Sequence, residues 1–553
     1  MQHLYSYISR SRLAAAICCV AFLSVSPAAL AIGFEDVTDS AGINYVGPSF
    51  GVSWGDVNGD GWPDAWVGNH ANTPALYVNN TDGTFSDEIS RVGYSFSDRH
   101  GAAWADFDND GDQDLITVAG AQSGFGMWPN QLFVNANGVL DEQAFAYGLD
   151  YPLGRGRTPL WFDWNGDGKL DIFLSNDSRI DGQAPSALFT QLDGSFSDSA
   201  VQTGLTVTGN SFAQLLTVGN SSSPSLLLSG SPYPDRFYDF QSLPFIDQGS
   251  LFALTNAEKW KVADVAIADF NGDLLSDIFL VRSINGSEAI QTDPTRISAQ
   301  LVVNGSEKAF TFRADGSVQF EIGPSVVVAP TDISIGNNGI NPEGRIFSIS
   351  SLDPDAAGIL SHAAGTDSGI YIGFDSLSGS WQVIVSSADW LSAGIIITAD
   401  SPVTGLANIG FENSDGAFTD KLFLQSMSGF AEYSAVAGLN TATACRSAVA
   451  ADFDNDMDVD LYLVCGGPTA NLPNILYENI GGGRFQFVAG AGGAAGAVSG
   501  RAESVATADY DRDGYIDIFV TNGLYHDLTN QDFLNYFANS IIQKMALTGK
   551  REE

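Results

Sequence analysis

The chain has 553 residues and a net charge of −41, from 65 acidic against 24 basic side chains. Its 44% hydrophobic content, with 35 Phe and 10 Trp, is ample for a packed core and excludes a disordered chain. So acidic a chain repels nucleic acid and anionic membrane surfaces, and neither is expected as a partner.

In chain order, residues 1–31 read first as an export signal. Arg10 and Arg12 precede an apolar run from Leu13 to Val25, and Ala29-Leu30-Ala31 offers a small-residue cleavage site. That run is too short to span a bilayer and no later run is longer, so no transmembrane segment is expected. The expected location is secreted, periplasmic or at the cell surface.

From Trp54 onward one phrase recurs, with oxygen-bearing residues at alternate positions of a turn. The first copy places Asp56, Asn58, Asp60, Trp62 and Asp64 at positions 1, 3, 5, 7 and 9. The second has Asp106, Asp108, Asp110, Asp112 and Asp114, and the third Asp163, Asn165, Asp167, Lys169 and Asp171. A fourth copy over 217–225 keeps the flanking apolar strands but replaces the acids with hydroxyls, and is expected to bind nothing. The fifth is Asp269, Asn271, Asp273, Leu275 and Asp277; the sixth is Asp452, Asp454, Asp456, Asp458 and Asp460. The seventh is Asp509, Asp511, Asp513, Tyr515 and Asp517.

Further short strands follow each turn, as in Leu76-Tyr-Val-Asn-Asn and Ala187-Leu-Phe-Thr-Gln191. Four strands per repeat predict an all-β seven-bladed β-propeller whose hairpin loops bind calcium. Its blades run over 32–284 and resume over 419–528, and Phe34-Glu-Asp36 is expected to complete the last one. Residues 285–418 interrupt the fifth blade as an inserted β-rich domain, a small sandwich or barrel. Over 529–553, Phe533, Phe537, Ile541 and Met545 recur every fourth residue, which predicts a short amphipathic C-terminal helix. Cys445 and Cys465 flank the sixth turn, and hairpin pairing sets them nearly opposite, as a disulfide or as two buried thiols.

The turn chemistry points to a metal. Hard Ca²⁺ takes six to eight oxygens, position 6 favours glycine for a sharp bend, and the position-7 carbonyl turns inward. Several like charges on one turn are unfavourable without a cation. Position 12 is Val67, Thr117 or Leu174 rather than Glu, and the flanks alternate like strands, so these are not EF-hands. Up to six Ca²⁺ are expected. Leu274 and Met457 replace the position-6 glycine in two loops, where strain or lower affinity is expected.

These loops resemble the FG-GAP/VCBS repeats of integrin-α-type β-propellers. The phrase Phe34-Glu-Asp-Val-Thr-Asp-Ser-Ala-Gly-Ile resembles the opening of the cartilage acidic protein/ASPIC-UnbV group. The resemblance implies seven blades with Ca²⁺ at hairpins on one face. The chain departs from the group in its fourth repeat, in the insertion, and in having no ASPIC/UnbV module after the last repeat.

No catalytic constellation is legible. There are five histidines, no zinc spacing, no Gly-x-Ser-x-Gly elbow and no phosphate loop. His70 and His526 follow equivalent second strands and read as turn residues. Arg155, Arg157 and Arg446, with Arg501, precede calcium loops and read as braces of the channel. Trp54, Trp104 and Trp161 stand in phase before successive loops and read as blade packing. The expected function is an exported calcium-binding module of the extracellular binding or cell-adhesion kind, with a protein or glycan partner on a propeller face or the insertion. The alternative is a polysaccharide-active, lyase-like enzyme, which needs a basic cluster in the channel.

Overall fold

In the computed structural model the described residues are 32–522 and 540–544, less short loop segments of which 250–261 is the longest. The signal, His70, Arg501 and His526 lie outside them. The described chain is all-β and propeller-like, built from small antiparallel sheets, and no described helix exceeds five residues.

Each repeat opens with an inner strand: Ser49–Gly55, Arg99–Ala105, Gly156–Phe162, Phe212–Leu216, Val262–Ala268, Cys445–Ala451 and Ala502–Ala508. The turn then leads into a second strand that begins on position 9, as in Asp64–Asn69, Asp114–Ala119 and Asp171–Asn176. Second strands are buried along their whole length because they lie between neighbouring sheets, and their sequences are correspondingly continuous and apolar. Third and fourth strands complete each sheet outward, as in the order Ser49–Gly55, Asp64–Asn69, Ala75–Asn79, Phe85–Asp87. The fourth repeat has three described strands, Phe212–Leu216, Ser225–Ser229 and Arg236–Asp239.

Inner strands are neighbours in chain order, and the seventh lies beside the first. Their approach is close. A Cβ on Gly51 would meet the His100 carbonyl oxygen at 2.5 Å, and one on Gly101 the Arg157 oxygen at 2.0 Å, so only glycine fits there.

The last sheet draws on both ends of the chain. Phe34–Asp36 forms its outer strand, as its phase predicts, and pairs with Ser540–Lys544, which pairs in turn with Asp517–Asn522. This corrects the helix expected over 529–553: its described residues form a strand, with Ile542 opposite Ile518. The hydrogen bonds of the second strand are satisfied by this added strand rather than by a helix.

The fifth sheet is assembled across a long excursion. Asp277–Arg282 pairs with Lys421–Ser426, Ile278 facing Phe423. Between them lie two five-stranded sheets, one ordered Ala289–Asp293, Arg296–Val303, Leu391–Ala399, Ser317–Ile322, Ile346–Ser350. The other holds Ile333–Ile335, Gly369–Asp375, Ser380–Ser387, Ser306–Arg313 and Thr404–Ile409. They share one core in which Phe312 stacks on Trp381 and Phe320 from the facing sheet meets it edge-on at 5.8 Å. Cys445 and Cys465 are directly paired across their hairpin and are joined as a disulfide.

Candidate metal centres

The six acidic turns share one hydrogen-bond pattern. Position 1 accepts backbone N–H groups from position 6 and, in most copies, position 5. Asp56 takes those of Asp60 and Gly61, Asp106 those of Asp110 and Gly111, and Asp509 that of Gly514. Position 5 accepts the N–H of position 7: Asp60 from Trp62, Asp110 from Asp112, Asp167 from Lys169, Asp273 from Leu275, Asp456 from Asp458, Asp513 from Tyr515. These bonds fold the turn so that positions 1, 3 and 9 face one another.

In three loops that convergence is complete. Carboxylate oxygens of Asp106, Asp108 and Asp114 lie within 4.8 Å of one another, as do those of Asp452, Asp454 and Asp460 and those of Asp509, Asp511 and Asp517. Position 3 is an amide in the first, third and fifth loops, where Asn58, Asn165 and Asn271 donate to the position-5 carboxylate at 3.0–3.2 Å. Burial, followed by neighbouring carboxylates, raises Asp108, Asp458 and Asp511 above the usual range. The all-oxygen donor set fits a hard cation. One atom supports this directly: the buried Oδ1 of Asp509 has no hydrogen-bond partner, although it sits beside two further carboxylates.

Position 9 is the buried member of each loop. Asp64 takes the N–H of Val57 on one oxygen and that of Asn79, on the third strand, on the other. Asp114 does the same with Phe107 and Asn135, Asp171 with Trp164 and Gln191, Asp277 with Phe270 and Gln425, and Asp460 with Phe453 and Asn479. Burial pushes these carboxyls up to about 6 for Asp64, Asp171 and Asp277, and to about 7 for Asp114 and Asp460.

Leu274 and Met457 keep the turn rather than break it. Their φ values of 67° and 77° match the left-handed glycines, such as Gly61 at 83°, and their N–H groups still reach Asp269 and Asp452. A Cβ in that region costs about 1–2 kcal/mol, so the strain expected from the sequence is present and absorbed.

Several loops touch. The Asp56 N–H donates to Gln113 at 2.8 Å, Arg512 lies over the Trp62 ring at 5.3 Å, and Asn455 donates to the Gly514 carbonyl at 3.0 Å. At the start of the inner strands Arg155 and Arg157 both pair with Asp177 at 3.1 Å, His100 pairs with Asp98, and Arg446 faces Glu503 in the next sheet at 3.7 Å. The described arginines thus form ion pairs with acids near the start of the inner strands. The tryptophans pack between sheets: Trp54 against Phe519, Trp104 onto the Ser53 carbonyl, Trp161 stacked on Phe107.

Sequence reading overlooked the amides that close the third strands. Asn79, Asn135, Gln191, Gln425 and Asn479 sit at or near those strand ends. An Asn or Gln recurring at the end of five aromatic third strands was the available signal.

The FG-GAP-like repeat family matches residues 47–117 and 452–520, which contain the first, second, sixth and seventh loops. Cartilage acidic protein 1 from Xenopus tropicalis is 28% identical over 154 residues, and that from Homo sapiens 27% identical; each match spans 26% of this chain and 22% of the relative. Among solved structures, the V. cholerae biofilm matrix protein Bap1 aligns over 93% of this chain and 92% of its own, at 12% identity and a TM-score of 0.39. A fructofuranosidase from Schwanniomyces occidentalis aligns over 67% and 97%, at 9% identity and a TM-score of 0.28. Residues 47–117 and 452–520 thus carry FG-GAP-like repeats, and the acidic turns of the third and fifth repeats stand in register with theirs.

Proposed function

We propose that the chain is an exported, seven-bladed, calcium-binding propeller that serves as an extracellular binding module for a protein or glycan partner. The carrying observation is the convergence of three carboxylates in each of three equivalent turns, with a buried, unpaired oxygen on Asp509. The neighbour relations of the inner strands, running from the first round to the seventh and back to the first, support closure into a ring. Asp56, Asp106, Asp163, Asp269, Asp452 and Asp509, with their partners at positions 3, 5 and 9 and the position-7 carbonyl, would hold up to six Ca²⁺. When bound, the ion supplies charge neutralisation to a turn that otherwise gathers like charges. Residues 285–418 form a separate β-domain carried by the fifth blade, a second surface for the partner.

The test is binding to glycan and protein arrays with Ca²⁺ and with EDTA, using the full chain and one lacking 285–418. Calcium-dependent capture of a defined glycan or protein supports the reading. A protein that contains no metal after purification and captures nothing under either condition overturns it.

A further inference from the structure

We propose that Asn79, Asn135, Gln191, Gln425 and Asn479 are positioning residues of the calcium loops, each coupling the loop of its own blade to that of the blade before it. The proposal rests on the calcium reading above.

The geometry repeats at five junctions. Each residue donates its backbone N–H to the buried position-9 aspartate of its own loop, at 2.7–2.9 Å. Each side-chain amide also reaches across the blade boundary to a backbone carbonyl of the preceding turn. Asn135 donates to Val57, Gln191 to Phe107 and Asn479 to Phe270 at 2.8–2.9 Å; Gln425 donates to Thr217 at 3.0 Å. Asn79 closes the series backward, donating to Tyr510 of the seventh loop at 2.9 Å.

Val57, Phe107, Phe270 and Tyr510 all stand at position 2, and the N–H of each donates to the position-9 aspartate of its own turn. At four junctions the path therefore runs from aspartate to third strand, across the boundary by the amide, through the position-2 residue, and onto the aspartate of the preceding blade; at the fifth, Gln425 ends on Thr217 in the turn without acids. Four of the amides also donate to their own position-8 carbonyl: Asn79 to Pro63, Asn135 to Gln113, Gln425 to Ser276 and Asn479 to Val459. That second bond fixes the turn at the residue beside the metal-facing carboxylate. Each bond fixes the place of the residue that carries the next one, so the coupling is positional: loss of the amide frees the position-2 residue that orients the neighbouring aspartate.

The fourth blade lacks both groups, whereas the seventh keeps Asp517 and, with Ile518 facing Ile542, has Lys544 at the corresponding third-strand position. In the fourth, Ser225 stands at position 9, and register places Phe240 where five blades have the amide: Leu226 faces Tyr238 two residues before it, as Ile172 faces Phe189 two residues before Gln191. Phe240 reaches back to the preceding blade by stacking on Phe162 at 5.2 Å. The aspartate and the amide are both missing, and aromatic packing takes over the boundary.

The test reads the first loop alone while a residue of the second blade is changed. Tb³⁺ serves as the calcium probe, and the luminescence lost in W62F is the part sensitised by Trp62, within the first loop. In N135A the first-loop affinity is expected to weaken about fivefold, the value of one net hydrogen bond. N79A should weaken it similarly through Asp64. N135Q should retain wild-type affinity, since Gln serves this role in the third and fifth blades, and Q425A should leave the first loop unchanged. If N135A fails to fold, N135L carries the same expectation, having nearly the same shape without the donor and without a charge. A first-loop isotherm in the Asn135 variant equal to wild type, with only a lowered melting temperature, overturns the coupling and leaves the calcium reading intact. Wild-type protein that binds neither Tb³⁺ nor Ca²⁺ overturns the calcium reading itself.

Discussion

The second and fourth repeats solve one packing problem by opposite chemistry. In the second, the buried strand begins on Asp114, fully buried and bonded to the Phe107 and Asn135 N–H groups, and five aspartates crowd the turn. In the fourth, Ser225 takes that place, Ser221 bonds the Ser223 carbonyl within the turn, and the boundary is held by Phe162 on Phe240 and by Trp164 against Phe245 at 5.7 Å. The first arrangement is polar and gathers like charges, which a bound cation would neutralise. The second is apolar and indifferent to one. A single fold tolerates both because the strand pairing and the buried second strand are common to each.

The largest expected effect separates the two arrangements directly. Removing calcium with EDTA should lower the melting temperature steeply, since each loop contributes about 2.7 kcal/mol when free Ca²⁺ exceeds its Kd a hundredfold. Hydrogen exchange should then rise in acidic blades before it rises in the fourth; uniform loosening would remove the distinction.

A pH effect follows from acids outside the loops. Asp264 is buried, where it accepts from Ser447 and the Val265 and Ala448 N–H groups, and Asp420 accepts from Arg282 and Thr443. Burial pushes these carboxyls up to about 6 and about 7. The folded chain therefore prefers them neutral: the stabilisation is present below the unfolded value near 4 and is lost as pH rises toward 6–7. Denaturant melts in EDTA should show stability falling across that window, and D264N should flatten part of the fall.

Two substitutions sharpen the contrast at smaller scale. D114A leaves two buried N–H groups unpaired and should cost about 2–4 kcal/mol, more in Ca²⁺ than in EDTA. F240A should cost about 2–3 kcal/mol, equally with and without calcium. The smallest effect is expected at a strained exposed turn: L274G should stabilise by about 0.5–1 kcal/mol by relieving a left-handed Cβ, seen as a small rise in melting temperature.

Much of this was legible because the periodicity is strong. The position-9 aspartates begin the second strands, the phase of Phe34-Glu-Asp36 set it on the last sheet, and Ile278 meets Phe423 where the split fifth repeat required. The C-terminal segment misled for a definite reason. Residues spaced by four share a helix face, but four is also even, so the same spacing places them on one face of a strand. In a segment this short, the vacancy beside Asp517–Asn522 decides the outcome, and sequence periodicity does not report vacancies. The cross-boundary amides were hidden differently: their partners are backbone carbonyls, which carry no residue identity to search for.

The stretch between Arg282 and Asp420 leaves and re-enters the fifth sheet through one clamp, where the Arg282 N–H meets Asp420 and its guanidinium meets the Thr419 carbonyl. A loop closed at so tight a neck has an entropy that grows only with the logarithm of its length. The fifth sheet is therefore nearly blind to what it carries there. A larger passenger, a smaller one or a bare linker would leave the fifth sheet with the same register and the same bonds, so cargo can change without renegotiating the fold beneath it.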